Sequence, residues 1–207
     1  IISKMKIYVL GVCGTFMGGL AQLAIQKGFE VAGCDENAYP PMSNVLSEKG
    51  IKVDQGFSTR NIADDIDLFV IGNVVSRGNP MMEEILKRRL KFVSGPQFLT
   101  ESILEDRHVI AVSGTHGKTS TSSMLAKVLI DAGLDIGYMI AGRAIDLDST
   151  AYLGTHKYFV IEADEYDTAF FDKRSKFIHY SPSTLLINNL EFDHADIFDD
   201  LDAIKKQ

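Results

Sequence analysis

The stretch His108–Ser120, HVIAVSGTHGKTS, decides the fold, because it predicts a buried strand, a glycine turn and the first turn of a helix. In such a loop, backbone N–H groups and the positive end of the helix hold phosphate oxygens. We expect Lys118 to reach the β- and γ-phosphates of a nucleotide, and the Thr119 hydroxyl to bind Mg²⁺. The general pattern has a glycine five places before Gly117, where this chain has Val112, so the loop is a shortened variant. A plain glycine turn entering a helix is the alternative.

Strand-like and helix-like segments alternate on both sides of this loop. Such alternation predicts parallel sheets covered by helices. We therefore predict an α/β protein with a Rossmann-like parallel sheet in residues 1–105 and an incomplete P-loop α/β domain in residues 106–207. The predicted strands are KIYVL (6–10), EVAGC (30–34) and LFVI (68–71) in the first region, and only HVIAV (108–112), YFVI (158–161) and TLLI (184–187) in the second.

Acidic segments follow two of these strands. EADEYD comes after YFVI, and NLEFDHAD, which spans Asn189–Asp196, comes after TLLI. Carboxyl ends of parallel strands meet at one edge of a sheet, and carboxylates there suit Mg²⁺. Alone, an acidic segment is more often a solvated turn, and a lone histidine such as His194 is more often structural. Beside a phosphate loop, we favour a metal site.

A second glycine turn, Gly11–Gly19, lies between the first strand and a helix, and Asp35 ends the second strand. This is the setting of a dinucleotide-binding fold. However, Cys13 and Phe16 stand where the GxGxxG pattern has its second and third glycines. NAD is therefore disfavoured. A single diphosphate on the helix start is favoured over a turn that only packs helix on strand.

The composition excludes several classes of protein. The net charge of −7 argues against a general nucleic-acid surface. No apolar run approaches the roughly 20 residues that span a membrane, and the first residues do not form a signal peptide. Cys13 and Cys34 form no CxxC pair. We expect a cytoplasmic protein that binds neither membrane nor nucleic acid, of open oligomeric state.

Together the motifs resemble those of the Mur ligases, the ATP-dependent amide ligases of peptidoglycan synthesis. SGTHGKTST resembles their ATP loop, EADE their Mg²⁺-binding segment, and Asn189–Asp196 their NxxxDHxD motif. The first half resembles the UDP-sugar domain of the muramate-binding branch. Asn73–Ser76 with Asn79–Pro80 resembles that branch's second UDP-sugar loop.

The resemblance implies ATP and Mg²⁺ as cofactors and assigns roles to residues. Lys118, Glu162 and His194 are the implied catalytic residues, and Thr119, Glu162 and His194 the implied metal ligands. In this scheme Lys118, Thr119 and one Mg²⁺ handle the ATP, and Glu162 and His194 hold a second Mg²⁺. The implied ATP-binding residues are Gly114, Thr115, His116, Gly117, Lys118, Thr119 and Ser120. The implied substrate-binding residues are Gly11, Gly14, Thr15, Met17, Gly18, Asp35, Asn73, Ser76, Asn79 and Asn189.

The segment EADEYDTAFFDKRSKFIHY resembles the branch that joins L-alanyl-γ-D-glutamyl-meso-diaminopimelate to UDP-N-acetylmuramate in peptidoglycan recycling. The alternative is the branch that adds L-alanine to the same acceptor. Family members have a further C-terminal domain beyond the motifs seen here. A UDP-sugar-binding module without catalysis, and a P-loop ATPase, are the rival functions.

Overall fold

The computed structural model describes residues 4–142, 147–163 and 167–189. By its internal contacts the chain forms two compact units, residues 1–103 with 168–173, and residues 104–167 with 174–207. The inclusion of residues 168–173 in the first unit has no counterpart in the sequence-based division at residue 105. No helix in the described ranges is long and apolar enough to cross a bilayer.

The first unit is built on a five-stranded parallel sheet in the order β3-β2-β1-β4-β5. Val9 and Leu10 at its centre are fully buried, as expected for a strand covered on both faces. The order, with β1 between β2 and β4, is that of the first five strands of the Rossmann order 3-2-1-4-5-6. Its strands are β1 Lys6–Leu10, β2 Glu30–Asp35, β3 Lys52–Gln55, β4 Leu68–Ile71 and β5 Phe92–Ser94.

Four helices cover this sheet, and they begin in different ways. Two of them start at a side-chain cap, from Asn79 or Ser94. The first helix instead starts at Gly14, which supplies no side-chain cap. The backbone N–H groups in the first turn of this helix therefore have no side-chain acceptor at the cap position. The helices are α1 Thr15–Lys27, α2 Met42–Glu48, α3 Pro80–Arg88 and α4 Gly95–Ser102.

The second unit has a five-stranded sheet in the order β12-β6-β9-β7-β8, parallel except for the β7–β8 pair. The expectation of three strands in this region was wrong. The two additional strands, β7 and β8, are only three and two residues long, too short to show a periodic pattern. The strands are β6 His108–Ser113, β7 Gly137–Met139, β8 Ala151–Tyr152, β9 Tyr158–Glu162 and β12 Thr184–Ile187.

Two helices and a hairpin complete the described chain. The helices are α5 Lys118–Asp131 and α6 Lys176–His179. The hairpin pairs β10 Asp167–Ala169 with β11 Asp172–Ser175. Phe170 at its turn packs against the core of the first unit, and the Phe171 ring lies 5.3 Å from that of Phe92.

Candidate active site

The loop between β6 and α5 has a conformation that requires glycine at two positions. Gly114 has φ 137° and Gly117 has φ 79°, a region that other residues rarely adopt. A Cβ atom on Gly114 would lie 3.1 Å from the Cβ of Asn188 and 3.2 Å from the backbone N of Asn189. The loop is thus closely packed as well as left-handed. Lys118 closes it, because its Nζ donates to the carbonyl of Gly114 at 2.7 Å.

Asn188 and Asn189, directly after β12, hold this loop. The Oδ1 of Asn189 accepts from the N–H of His116 at 2.9 Å, and its Nδ2 donates to the carbonyl of His116 at 3.1 Å. The backbone carbonyl of Asn189 accepts from Thr115 N–H at 3.2 Å. Asn188 donates from Nδ2 to Thr121 Oγ1 at 2.7 Å. Asn189 was expected to contact a substrate, but in the structure its carboxamide forms hydrogen bonds with the loop.

Glu162 ends β9, the strand next to β6, and lies beside the first turns of α5. Burial raises the pKa of its carboxyl, while hydrogen bonds from Thr119, the Ala141 backbone and Ser122, and the charge of Lys118, oppose that rise. The Ser122 hydroxyl lies 3.5 Å from Glu162 Oε1. A carboxylate whose burial disfavours its charge is stabilised by a nearby cation. The site therefore suits a hard, oxygen-preferring metal ion.

Two of the three implied metal ligands, Thr119 and Glu162, are brought together. The third, His194, lies outside the described residues, as does the rest of the NxxxDHxD motif after Asn189. Among described residues, no group of three or more His, Cys, Asp and Glu side chains is placed to hold a metal.

The glycine turn of the first unit is held by the end of β2. The N–H groups of Gly11 and Val12 both donate to the carbonyl of Cys34, at 2.8 and 3.2 Å. The Asp35 carboxylate, only 8% exposed, accepts from Cys13 N–H at 2.9 Å and from Asn37 N–H at 3.0 Å. Asp35 thus shapes the turn through backbone groups.

The departures from the GxGxxG pattern have a structural reason. The φ angle of Cys13 is not positive, and Phe16 lies inside α1, so neither position needs glycine. Gly11 does need it, with φ 81° and a Cβ that would lie 2.7 Å from Cγ2 of Val74. At Gly18 a Cβ would lie 2.6 Å from the Met42 sulfur, so this glycine lets α2 pack on α1.

The remaining implied substrate residues of the first unit differ in exposure and contacts. Gly14, Thr15, Asn73 and Ser76 are exposed. Met17 is buried, with its sulfur 2.6 Å from where a Cβ on Gly95 would be, so it is a core residue. Asn79 caps α3, with Oδ1 accepting from Met81 N–H and Met82 N–H at 3.1 Å each.

Some groups of the site were missed by the sequence analysis, namely Asn188, Ser122 and the backbone of Ala141. Ser122 lies one helical turn after Lys118 and Thr119, a spacing that could have indicated it. Asn188 follows a strand that pairs with β6, but strand order is not evident from sequence alone. Ala141 contributes a backbone hydrogen bond to Glu162, so its residue type gives no indication of this role in the sequence.

Comparison with known proteins decides the family. The model of the Mur ligase family catalytic domain matches residues 6–107, and that of the Mur ligase middle domain matches residues 112–207. The chain belongs to the Mur ligase family. The resemblance inferred from the motifs is thereby confirmed.

Several members of the family are similar over nearly the whole chain. UDP-N-acetylmuramate--L-alanyl-γ-D-glutamyl-meso-2,6-diaminoheptandioate ligase of Escherichia coli K12 is 55% identical over 203 residues, which are 98% of this chain and 44% of that protein. The crystal structure of the corresponding ligase from Neisseria meningitides has a TM-score of 0.94 at 51% identity, over 99% of this chain and 66% of that one. The chain therefore spans less than half of the curated relative.

A more distant member shares the fold. The UDP-N-acetylmuramate-alanine ligase of Thermotoga maritima has a TM-score of 0.82 at 23% identity, over 98% of this chain and 45% of that one. The predicted α/β fold class, Rossmann-like and then P-loop, is confirmed by these structures.

Proposed function

We propose that this chain is the UDP-sugar-binding and ATP-binding part of a ligase that joins L-alanyl-γ-D-glutamyl-meso-diaminopimelate to UDP-N-acetylmuramate. The observation that carries the proposal is the 55% identity, over 98% of the chain, to a ligase of that name. The alternative amine, L-alanine, has weaker support, because the UDP-N-acetylmuramate-alanine ligase of Thermotoga maritima is only 23% identical in sequence to this chain. A role in peptidoglycan recycling and a cytoplasmic location remain part of the proposal.

The proposed reaction has two steps. An oxygen of the muramate carboxylate attacks the γ-phosphorus of ATP, the bond from that phosphorus to the ADP oxygen breaks, and an acyl phosphate forms. The amine nitrogen of the peptide then attacks the acyl carbon, phosphate leaves, and the nitrogen loses a proton as the amide forms. The first step brings two anions together, so positioning and charge neutralisation dominate its barrier.

The phosphate loop supplies the ATP site in this proposal. α5 begins at Gly117 without a side-chain cap, and the first amides of a helix have no intrahelical acceptor. These amides and the Lys118 ammonium suit the oxygens of a triphosphate. The position of Lys118 across the loop, on the carbonyl of Gly114, keeps its charge at this edge of the sheet.

Thr119 and Glu162 would hold Mg²⁺. Their oxygens fit a hard cation, and the hydrogen bond between them keeps the hydroxyl and the carboxylate together. When bound, the ion supplies charge neutralisation between phosphate and carboxylate. Ser122 and the Ala141 backbone orient the carboxylate of Glu162. His194 is proposed as a further ligand from the family motif alone.

The glycine turn of the first unit is the proposed diphosphate site for the UDP-sugar. α1 starts at Gly14 without a side-chain cap, and Asp35 fixes the turn before it. Exposed polar side chains at Asn73 and Ser76 lie in the loop after β4, available to a sugar nucleotide.

The direct test uses the intact protein with ATP, Mg²⁺ and UDP-N-acetylmuramate, and offers the tripeptide and L-alanine in equal amounts. Mass spectrometry should find the tripeptide adduct as the main product. An L-alanine adduct as the main product would assign the protein to the branch that adds L-alanine. ATP hydrolysis that does not depend on the UDP-sugar would indicate a P-loop ATPase. UDP-sugar binding without any product would indicate a binding module.

A further inference from the structure

The pair of asparagines after β12 does more than fill space beside the phosphate loop. Asn189 engages both backbone groups of His116 with its carboxamide, donor to carbonyl and acceptor to N–H, at 3.1 and 2.9 Å. Its own carbonyl accepts from the preceding loop residue, Thr115, at 3.2 Å. Two successive loop amides are therefore already bound by Asn189.

This use of amides has a consequence for phosphate binding. A backbone N–H that donates to Asn189 is not directed at a phosphate oxygen in the same conformation. The amides from Gly117 into the first turn of α5 are not among those that Asn189 binds. The missing glycine at Val112 fits this arrangement, since a shortened loop has fewer amides to wrap around a phosphate.

We propose that Asn189 is a positioning residue. It holds the segment Thr115–His116 in place, so that the phosphates are bound only by amides from Gly117 onward together with Lys118. This inference rests on the proposed function of the loop. It gives Asn189 a role through the loop backbone and no contact with substrate.

The chemistry of the contact explains why asparagine is required. One side chain must donate to the His116 carbonyl and accept from the His116 N–H, which a carboxamide does and an ionised carboxylate of the same shape does not. The substitution Asn189→Asp would set a carboxylate oxygen against the carbonyl oxygen and add a negative charge beside the phosphates. Space is also limited, because a Cβ on Gly114 would lie 3.2 Å from the backbone of Asn189.

Hydrogen exchange on the unaltered protein gives the first test. Without nucleotide, the amides of Thr115 and His116 should exchange slowly. Addition of Mg·ADP should leave those two unchanged and slow the exchange of Gly117, Lys118 and Thr119. Fast exchange of His116 without nucleotide, or protection of His116 that appears only with Mg·ADP, would overturn the proposal.

Calorimetry on variants gives the second test. Asn189→Ala should weaken Mg·ADP binding about tenfold or more, from the loss of two hydrogen bonds, and Asn189→Asp should weaken it further. UDP-sugar binding should stay within about twofold in both, and in turnover KM for ATP should rise while KM for the UDP-sugar does not. Asn61→Asp, in the first unit, is the control for added charge and should change neither affinity.

The outcomes separate this inference from the proposed function. If the unaltered protein binds no Mg·ADP, the nucleotide site itself is wrong. If it binds Mg·ADP and Asn189→Ala binds equally well, the nucleotide site stands and the positioning role is refuted. A folded Asn189→Asp variant that loses affinity for both nucleotide and UDP-sugar would also refute it, because that result indicates a general structural defect.

Discussion

Lys118 is the residue on which the proposed ATP site most depends, because its ammonium lies within the phosphate loop, on the carbonyl of Gly114. Lys118→Ala should lower the rate of ligation by about 10²–10³ or more, the usual cost of losing a charged contact to a transferring phosphoryl group. UDP-sugar binding should be unchanged. Steady-state kinetics and calorimetry of the intact protein check both statements, and near-native turnover by the variant would remove Lys118 from the site.

Cys13 offers a prediction from its surroundings. Burial, and next the charge of Asp35, raise the pKa of its thiol to about 11. Since the thiolate is the nucleophile, alkylation at about pH 7.5 should be roughly tenfold slower than for a thiol of pKa about 9, because the smaller thiolate fraction is partly offset by the higher nucleophilicity of the more basic thiolate. Asp35→Asn should move the midpoint of the pH–rate profile downward.

Mass mapping of iodoacetamide adducts would follow Cys13 separately from Cys34, whose pKa is raised to about 12, chiefly by burial. Cys34 is the internal control and should stay unreactive in both the unaltered protein and the Asp35→Asn variant. Rapid alkylation of Cys13 at neutral pH in the unaltered chain would contradict the proposed surroundings of this thiol.

For single residues, the sequence and the structure can be compared by their contacts. The phosphate loop and Glu162 were proposed as site residues from their position after strands, and they stay a proposal. Asn79 was assigned to substrate, yet an Asn before Pro at a helix start is a common N-cap signature, and capping is what the structure shows. Met17 and Asn189 were also assigned to substrate, but their contacts with α4 and with the phosphate loop come from segments distant in sequence and could not be predicted.

Among the secondary-structure elements, the segment between α5 and β7 contains Asp135, whose carboxylate and backbone carbonyl both accept hydrogen bonds. Asp135 accepts from Thr155 N–H at 2.9 Å, from Thr155 Oγ1 at 2.7 Å and from the Tyr152 hydroxyl at 2.9 Å. These hydrogen bonds lower its pKa. They tie the segment before β7 to Tyr152 of β8 and to Thr155 in the loop between β8 and β9.

The lowered pKa of Asp135 gives a pH dependence with a definite sign. A carboxylate whose pKa is lower in the folded state stabilises that state above its unfolded pKa of about 4, and loses this effect as pH falls through the folded value. Asp135→Asn should therefore lower Tm at about pH 7, and the difference from the unaltered protein should shrink toward about pH 3. Calorimetry across that range is the measurement.

A control for charge alone is available on α5. Asp131 is exposed and forms an ion pair with Lys127 across one helical turn, a type of contact that contributes little. Asp131→Asn should change Tm by much less at every pH. Equal losses in the two variants would mean that the hydrogen bonds of Asp135 do not organise the segment.

The elements were predictable where they are long and apolar. KIYVL, LFVI, YFVI and TLLI all form strands at the expected positions. β7 and β8 were missed because each pairs over two or three residues, so the partner strand, and not its own sequence pattern, determines it. The β10–β11 hairpin was missed for the same reason.

For the molecule as a whole, the first unit contains a segment that is distant from the rest of it in the sequence. Residues 168–173 lie far along the chain from the end of its continuous part at Ile103, yet their contacts belong to it. Phe170 joins the cluster that includes Tyr8 and Phe69, and Phe171 stacks edge-on against Phe92. Long-range packing of this kind leaves no local pattern in the sequence.

This packing leads to a prediction for a fragment of residues 1–105. The fragment has the whole five-stranded sheet and the glycine turn, so it should fold and bind a UDP-sugar in preference to NAD or ATP, as calorimetry would show. It lacks Phe170 and Phe171, whose burial contributes about 1–2 kcal/mol for partly buried aromatic rings. The fragment should therefore unfold at a lower denaturant concentration than the first unit does in the whole chain.

Two substitutions in the whole chain separate the effect of the hairpin from the effect of truncation. Phe170→Ala should reproduce much of the loss in stability, because it removes the ring that packs on the core of the first unit. Phe177→Ala, on α6 of the second unit, is the matched control and should leave the unfolding of the first unit unchanged. A fragment as stable as the whole chain would show that the hairpin contributes nothing to the first unit, and preference of the fragment for NAD would refute the assignment of the glycine turn as a diphosphate site.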